Sequence, residues 1–284
     1  MRGRKTSTPP AAPIEEREEY EPHLALGNVV YAGLDYAAIV AAAAAEADVI
    51  LWDGGNNDAP FVRPDLLVVL ADALRPQQAA THHPGETCLR MADVIVLSKS
   101  DAAPEDDVRA LAARCRALNS RAAIVRGAMP LALEDPDAVR AKRVVVVEDG
   151  PTLTHGGMPH GAGYAAAMRA GAIVVDPRAA ADPEIAAAYA QYPHIGPVLP
   201  ALGYSPAQLR ALARTLDAVD AELIVSATPA DLARLAAPKK PLVRVRYEFA
   251  EAEPEALWRH VEEALARRRA AATASARSVP SQGT

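Results

Sequence analysis

Cysteine, aromatic residues and surplus positive charge are all scarce in this chain, and each scarcity removes a class of function. The two cysteines, Cys88 and Cys115, stand far apart with no Cys-x-x-Cys pairing, which argues against a disulfide framework and a cysteine zinc site. Reduced thiols in the cytoplasm are the expectation. Aromatics make up 4% of the residues and the net charge is −6, so the chain lacks both the stacking platforms and the basic stripe of a general nucleic-acid binder. The longest apolar stretch, residues 36–45, is too short to span a bilayer before Glu46 and Asp48 interrupt it, so no membrane span is expected. Arg2, Arg4 and Lys5 run into Pro9 and Pro10 without the apolar centre of a secretory signal, and residues 1–16 read as a disordered arm. Also absent is any Gly-x-x-x-x-Gly-Lys-Ser/Thr segment, or even a Gly-Lys pair. The usual cradle for the β- and γ-phosphates of a nucleotide is therefore not in the sequence.

Core-forming material, by contrast, is plentiful: half of the 284 residues are hydrophobic. Apolar runs of strand length at 28–31, 48–53, 66–70, 94–97 and 122–125 alternate with helical stretches at 36–47, 89–91 and 106–118. A second series follows, with strands at 144–147, 173–175, 223–225 and 242–247 and helices at 164–170, 206–218, 229–236 and 254–269. This alternation predicts an α/β fold with a mostly parallel sheet buried on both faces, followed by a smaller α/β subdomain.

Three segments carry chemistry. In the first, the run 48–53 ends on Asp53 and breaks at once into Gly54, Gly55, Asn56, Asn57 and Asp58. That order puts a carboxylate at the carboxyl edge of a sheet, as in a Walker B segment. Asp53 can hold Mg²⁺ there, and the glycines let backbone N–H groups approach an anion. A plain turn after a buried strand would end in the same residues. In the second, Ser98, Lys99, Ser100 and Asp101 follow the strand 94–97 in the place of the Asn-Lys-x-Asp loop of GTP-binding proteins. Lys99 would lie along the base and Asp101 would accept from its N–H donors, although Ser98 cannot supply the amide; a βα loop beginning a helix is the alternative. In the third, residues 148–163 place glycines between a strand and a helix N-terminus. That is an anion site, suited to a phosphorylated acid, with Thr152, Thr154, His155 and His160 as donors and Gly156 in the loop. A flexible surface loop is the alternative. Metal binding by His155 and His160 lacks a third ligand. Arg90 has the fork for a phosphate or a carboxylate, with a pair to Asp93 as the structural alternative, and His194 is a minor candidate.

Together with the acidic segment 15–23, Tyr31 to Tyr36, Pro84 to Asp93, the segment 192–200 and residues 243–248, these motifs resemble the cyclic 2,3-diphosphoglycerate synthetase family, also described as P-loop GTPases. The resemblance covers residues 14–249. It implies an ATP- and Mg²⁺-dependent ligase that activates one phosphate of 2,3-diphosphoglycerate and closes an intramolecular phosphoanhydride. The domains it implies are a partial nucleotide-binding α/β domain at 17–130, an α/β subdomain at 140–250, and a terminal helix with a disordered tail at 251–284. Its site would comprise Asp53 for Mg²⁺, Gly54, Gly55, Asn56 and Asn57 near the γ-phosphate, and Lys99 with Asp101 on the base. Thr152, Thr154, His155 and Gly156, with Glu86 and Arg90, would serve substrate or domain closure. Family members carry an N-terminal domain and a P-loop before the acidic segment, so this chain is expected to correspond to their C-terminal portion. Ser98 leaves ATP against GTP open. A GTPase of the metallochaperone kind and a non-catalytic nucleotide-binding module are the competing readings. The expected partners are a small phosphorylated acid and a nucleotide, with either a second copy of the chain or a separately encoded P-loop polypeptide.

Overall fold

The computed structural model describes residues 20, 22–54, 60–154, 156–202 and 205–277, with side chains to residue 274. The expected arm at 1–16 and four candidate site residues, Gly55, Asn56, Asn57 and His155, lie outside the described residues. In chain order the first elements are α1 (Tyr36–Ala44), β1 (Val68–Asp72), α2 (Gly85–Met91), β2 (Val94–Ser98), α3 (Glu105–Leu118) and β3 (Ala123–Ala128). Next come β4 (Leu131–Leu133), α4 (Pro136–Val139), β5 (Arg143–Glu148), α5 (Gly150–Thr154), α6 (Ala162–Arg169) and β6 (Ile173–Val174). After them run α7 (Pro183–Gln191), β7 (Leu199–Pro200), α8 (Pro206–Ala218), β8 (Leu223–Ser226), α9 (Leu232–Leu235), β9 (Leu242–Tyr247), β10 (Ala250–Glu251) and α10 (Trp258–Arg277). The fold is α/β with mostly parallel sheets, as the alternation predicts. Among the described residues no helix is long and apolar enough to cross a membrane.

The chain divides into two compact units. The first comprises Ala44–Pro130 with Glu248–Thr284. Its sheet runs β1-β2-β3-β10, with β1, β2 and β3 parallel and β10 antiparallel to β3. One face buries Val69, Ala71, Ile95 and Leu97 against α2 and α3, whose Val108, Leu111 and Cys115 recur at helical spacing. The other face packs Val94, Val96 and Val125 on Ala256 and Leu257. Asn119, past the end of α3, locks the two helices together. Its Nδ2 donates to the carbonyls of Leu89, Arg90 and Ala92, and its Oδ1 accepts from the amides of Arg121 and Ala122.

The second unit comprises Met1–Ala43 and Leu131–Tyr247. Its sheet runs β4-β9-β8-β5-β6, with β7 also on β5, and only the β4–β9 pair is antiparallel. The five residues Val144 to Glu148 of the central strand β5 are all buried, as expected for a parallel strand covered on both faces. Its helices begin on strong caps. Ser205 and Gln208 form a capping box at α8, and Asp135, Asp182 and Asp231 each accept an amide of the helix that follows.

Four expectations need correction. Residues 48–53 form no strand, and Val49, Ile50 and Leu51 are 53, 45 and 80% exposed. An apolar run signals a need for burial, but a strand also needs neighbours for its N–H and C=O groups. None of the described strands pairs with this run, whose Trp52 ring instead meets Phe61 edge to face at 5.0 Å. Residues 28–31 are likewise irregular. The last helix does not end at Arg269 but continues to Arg277. The helix α7 was not foreseen, because its Ala-rich sequence offers little contrast between faces.

Candidate functional site

In the first unit, the carboxyl ends of three parallel strands meet one loop. Lys99 takes a left-handed backbone conformation (φ 58°), directly after β2. Its Nζ lies 2.8 Å from Oδ2 of Asp72, the last residue of β1. Ser98 Oγ donates to the Ala71 carbonyl at 3.3 Å, adding a second tie to β1. On the other side, Ser100 donates both its amide and its hydroxyl to the Gly127 carbonyl at 2.9 Å, and Asp101 Oδ1 accepts from the Met129 amide at 2.9 Å. The loop is thus held between the ends of β1 and β3, and Asp101 Oδ2 has no hydrogen bond among the described residues. A rigid loop offering one free carboxylate oxygen beside a long alkyl stem suits a flat, hydrogen-bond-donating ring. Sequence reasoning found Lys99 and Asp101 but missed Asp72, Gly127 and Met129. The signal for Asp72 was present: like the run before Asp53, the run before Asp72 ends on an acid.

The other candidates in this unit are placed differently. Asp53 is exposed on the irregular segment, so it does not stand at a sheet edge; this corrects the Walker B geometry read from the sequence. A Cβ at Gly54 would come within 2.8 Å of the Trp52 ring, which would have to shift to admit it. Glu86 and Arg90 pair with each other on α2, with Arg90 Nε and Nη2 at 2.9 and 2.6 Å from Glu86 Oε1. Asp93, offered as the structural partner of Arg90, accepts the Leu67 amide instead, at 2.8 Å. Among the described residues no group of three His, Cys, Asp or Glu side chains is placed to hold a metal ion.

In the second unit, the glycine-rich loop does form a nest of amides at the start of α6, but the chain fills it itself. Glu148, the last residue of β5 and 1% exposed, accepts from the amides of Gly161 (3.0 Å), Gly163 (3.0 Å) and Tyr164 (2.7 Å). The anion expected from a ligand is supplied by this carboxylate, which corrects the reading of the loop as an open anion site. Burial pushes the Glu148 pKa above the usual carboxylate value; the three amides and, in the opposite sense, nearby Asp149 change that shift without reversing it. Gly163 must be glycine, since a Cβ would lie 2.8 Å from Val146 Cγ1 and 2.9 Å from Ala227 Cβ. Thr152 donates its amide and hydroxyl to Asp149 Oδ2 (3.2 and 2.6 Å), and Thr154 Oγ1 donates to the Gly150 carbonyl at 3.0 Å. The Gly156 amide bonds the Pro151 carbonyl at 2.9 Å. His160 stacks on Tyr164 at 4.5 Å, and His194 Nε2 lies 2.8 Å from the Leu153 carbonyl. These side chains therefore build the loop; sequence could name them but not show that their first partners are internal.

Residues 36–126, which contain the Lys99–Asp101 loop, match the model of the CobW/HypB/UreG nucleotide-binding domain. Over 239 residues the chain is 48% identical to a protein of Thermococcus kodakarensis named arginine synthetase ArcE. That match takes in 84% of this chain but 53% of the relative, so the chain spans about half the relative's length. The chain is thus similar, over one α/β segment, to a nucleotide-binding domain and, over most of its residues, to about half of a synthetase.

Proposed function

We propose that this chain is the base-binding portion of an ATP-dependent synthetase that activates an oxygen of a small acid by phosphorylation, and that its product is arginine. The observation that carries the reading is the loop from Ser98 to Asp101, braced on Asp72, Gly127 and Met129, with one Asp101 oxygen free. Lys99 and Asp101 would hold the base. Bound ATP would supply the activated phosphoryl group. The name of the Thermococcus relative supports arginine, whose guanidinium is built by replacing the oxygen of a ureido group with nitrogen. Such an oxygen leaves readily once phosphorylated. The residues of this chain would then position and orient rather than react.

Synthesis of cyclic 2,3-diphosphoglycerate is the second reading, favoured by the shared motifs at 50–58, 84–93 and 148–156. Both reactions begin with phosphorylation of an oxygen, a ureido carbonyl in one and a phosphate in the other, and differ in what attacks next. The sequence has no glycine-lysine phosphate loop, so a P-loop polypeptide, joined to this chain or separate, would complete the site. A calorimetric titration of the chain with ATP and GTP, with and without Mg²⁺, tests the base site. Micromolar affinity that falls at least tenfold in Asp101→Ala is expected, and affinity no better than that of inorganic phosphate would sink the reading. A chimaera carrying the unmatched half of the Thermococcus relative, supplied with ATP and either the ureido analogue of arginine plus ammonia or 2,3-diphosphoglycerate, distinguishes the products by mass spectrometry.

A further inference from the structure

The edge of β3 in the first unit is only partly covered. β10 pairs with it at Gly127 and Ala128, and the Ala252 amide reaches the Arg126 carbonyl at 3.0 Å. Among the described residues no strand pairs with the edge before that point. The Ala123 amide turns inward to the Asp93 carbonyl at 3.0 Å, so strand alternation turns the amide and carbonyl of Ile124 outward. Ile124 is among the residues lining a groove of about 540 Å³. One wall is α3, with Val108 and Ala112; the other is the segment entering α10, with Ala256.

The groove is cationic. Arg109, Arg116, Arg126 and Arg259 line it against the two carboxylates of Glu105 and Glu253. Glu105 is already matched by Arg126, and Arg109 is shared between Asp106 and Glu105. Arg116 and Arg259 make no ion pair among the described residues. The shape selects among anions. Glu105 and Arg116 stand eleven residues apart on α3, about 16 Å at the helical rise, which is the span of roughly five residues of extended chain. A small oxyanion would engage one end of such a groove and leave the outward main-chain groups of Ile124 unused.

We propose that this groove takes an acidic segment of another polypeptide in extended form, added as a strand to the free edge of β3, with its carboxylates on Arg116 and Arg259. Main-chain bonds to Ile124 give the register and the arginines give the charge selection. The site lies directly behind the Lys99–Asp101 loop, since Glu105 starts the helix that follows the loop and Arg126 precedes the Gly127 that anchors it. The proposal does not depend on which product the protein makes.

The test uses the whole chain and a fluorescein-labelled heptapeptide of alternating Glu and Val, read by anisotropy at 150 mM salt. Saturable micromolar binding is expected, at least tenfold weaker for the Gln-Val counterpart. It should weaken similarly for the protein variant Arg116→Ala/Arg259→Ala, whose exposed substitutions should leave the melting temperature unchanged. N-methylation of alternate peptide amides should weaken binding in one register and spare it in the other. Three results would each overturn the proposal: equal binding of the Glu and Gln peptides, full binding by the double variant, or indifference to N-methylation in both registers. Displacement by millimolar inorganic phosphate together with that indifference would make the groove a small-anion site instead.

Discussion

In the second unit β5 runs between β8 on one side and β6 and β7 on the other, and Glu148 at its end is 1% exposed. In the first unit β1 has, among the described residues, β2 on one side only, and Asp72 at its end keeps 29% of its side chain in solvent. Both runs are apolar and both end on an acid. Their acids nonetheless do different work: Glu148 holds three amides and closes a helix onto the sheet, whereas Asp72 holds the ammonium of a loop lysine. A third such run, ending at Asp53, is left irregular. The apolar residues state that burial is favourable, while the neighbours decide whether the terminal acid becomes a structural anchor, a half-exposed partner or a surface group.

The strongest way to break the comparison is at Glu148. Glu148→Ala leaves one buried and two partly buried amides without an acceptor and should cost on the order of 3 kcal/mol, enough to unfold the second unit at lower urea in titrations followed by circular dichroism. Its titration provides a finer test. Because the folded pKa of Glu148 is raised, the folded state holds more protons than the unfolded chain between the ordinary carboxylate value and the raised one. Stability from this group is therefore full below that window and falls as the pH rises through it. Glu148→Gln should abolish that slope in urea midpoints measured from pH 4 to 8, while lowering stability by about 1–3 kcal/mol because the Gly163 amide would face an NH₂ group. A slope unchanged in the variant would assign the pH dependence elsewhere.

The first unit should lean on a side chain of the opposite kind, the neutral amide of Asn119. Asn119→Ala removes five hydrogen bonds to backbone groups and should destabilise by about 2–3 kcal/mol, measurable by chemical denaturation. Asp72→Asn should cost less than about 1 kcal/mol because the pair is partly exposed, yet weaken nucleotide binding severalfold in calorimetry by freeing Lys99. The smallest effect is expected at the exposed Glu86–Arg90 pair, where Arg90→Gln should shift stability by about 0.3–0.5 kcal/mol.

Much of this architecture could be read from the residues. The segments 94–98, 143–148 and 242–247 are continuous or alternating apolar runs, and α3 and α8 carry both periodicity and starting signals, so these elements are legible. The short strand at 173–174 falls within the run read at 173–175, but the two-residue strands β7 and β10 are not legible, because they exist only where a longer strand offers an edge. In the site, Lys99 and Asp101 were legible from their spacing after a buried strand. The occupation of the α6 amides by Glu148 was not, since a strand-end glutamate and a glycine loop thirteen residues later meet only through the turn of the chain. The exposed position of Asp53 was missed for the reason its run was read as a strand: hydrophobicity was taken to imply a partner.

Lys99 stands in a backbone conformation that glycine adopts freely and a lysine does not. Putting glycine there should raise thermal stability by up to about 1 kcal/mol wherever the ion pair contributes less than the strain, even as it strips the loop of its cation. Directed evolution of this chain for heat resistance alone would therefore be expected to discard the lysine, and a library screened for melting temperature without nucleotide would reveal it as a residue kept for what it touches rather than for what it holds up.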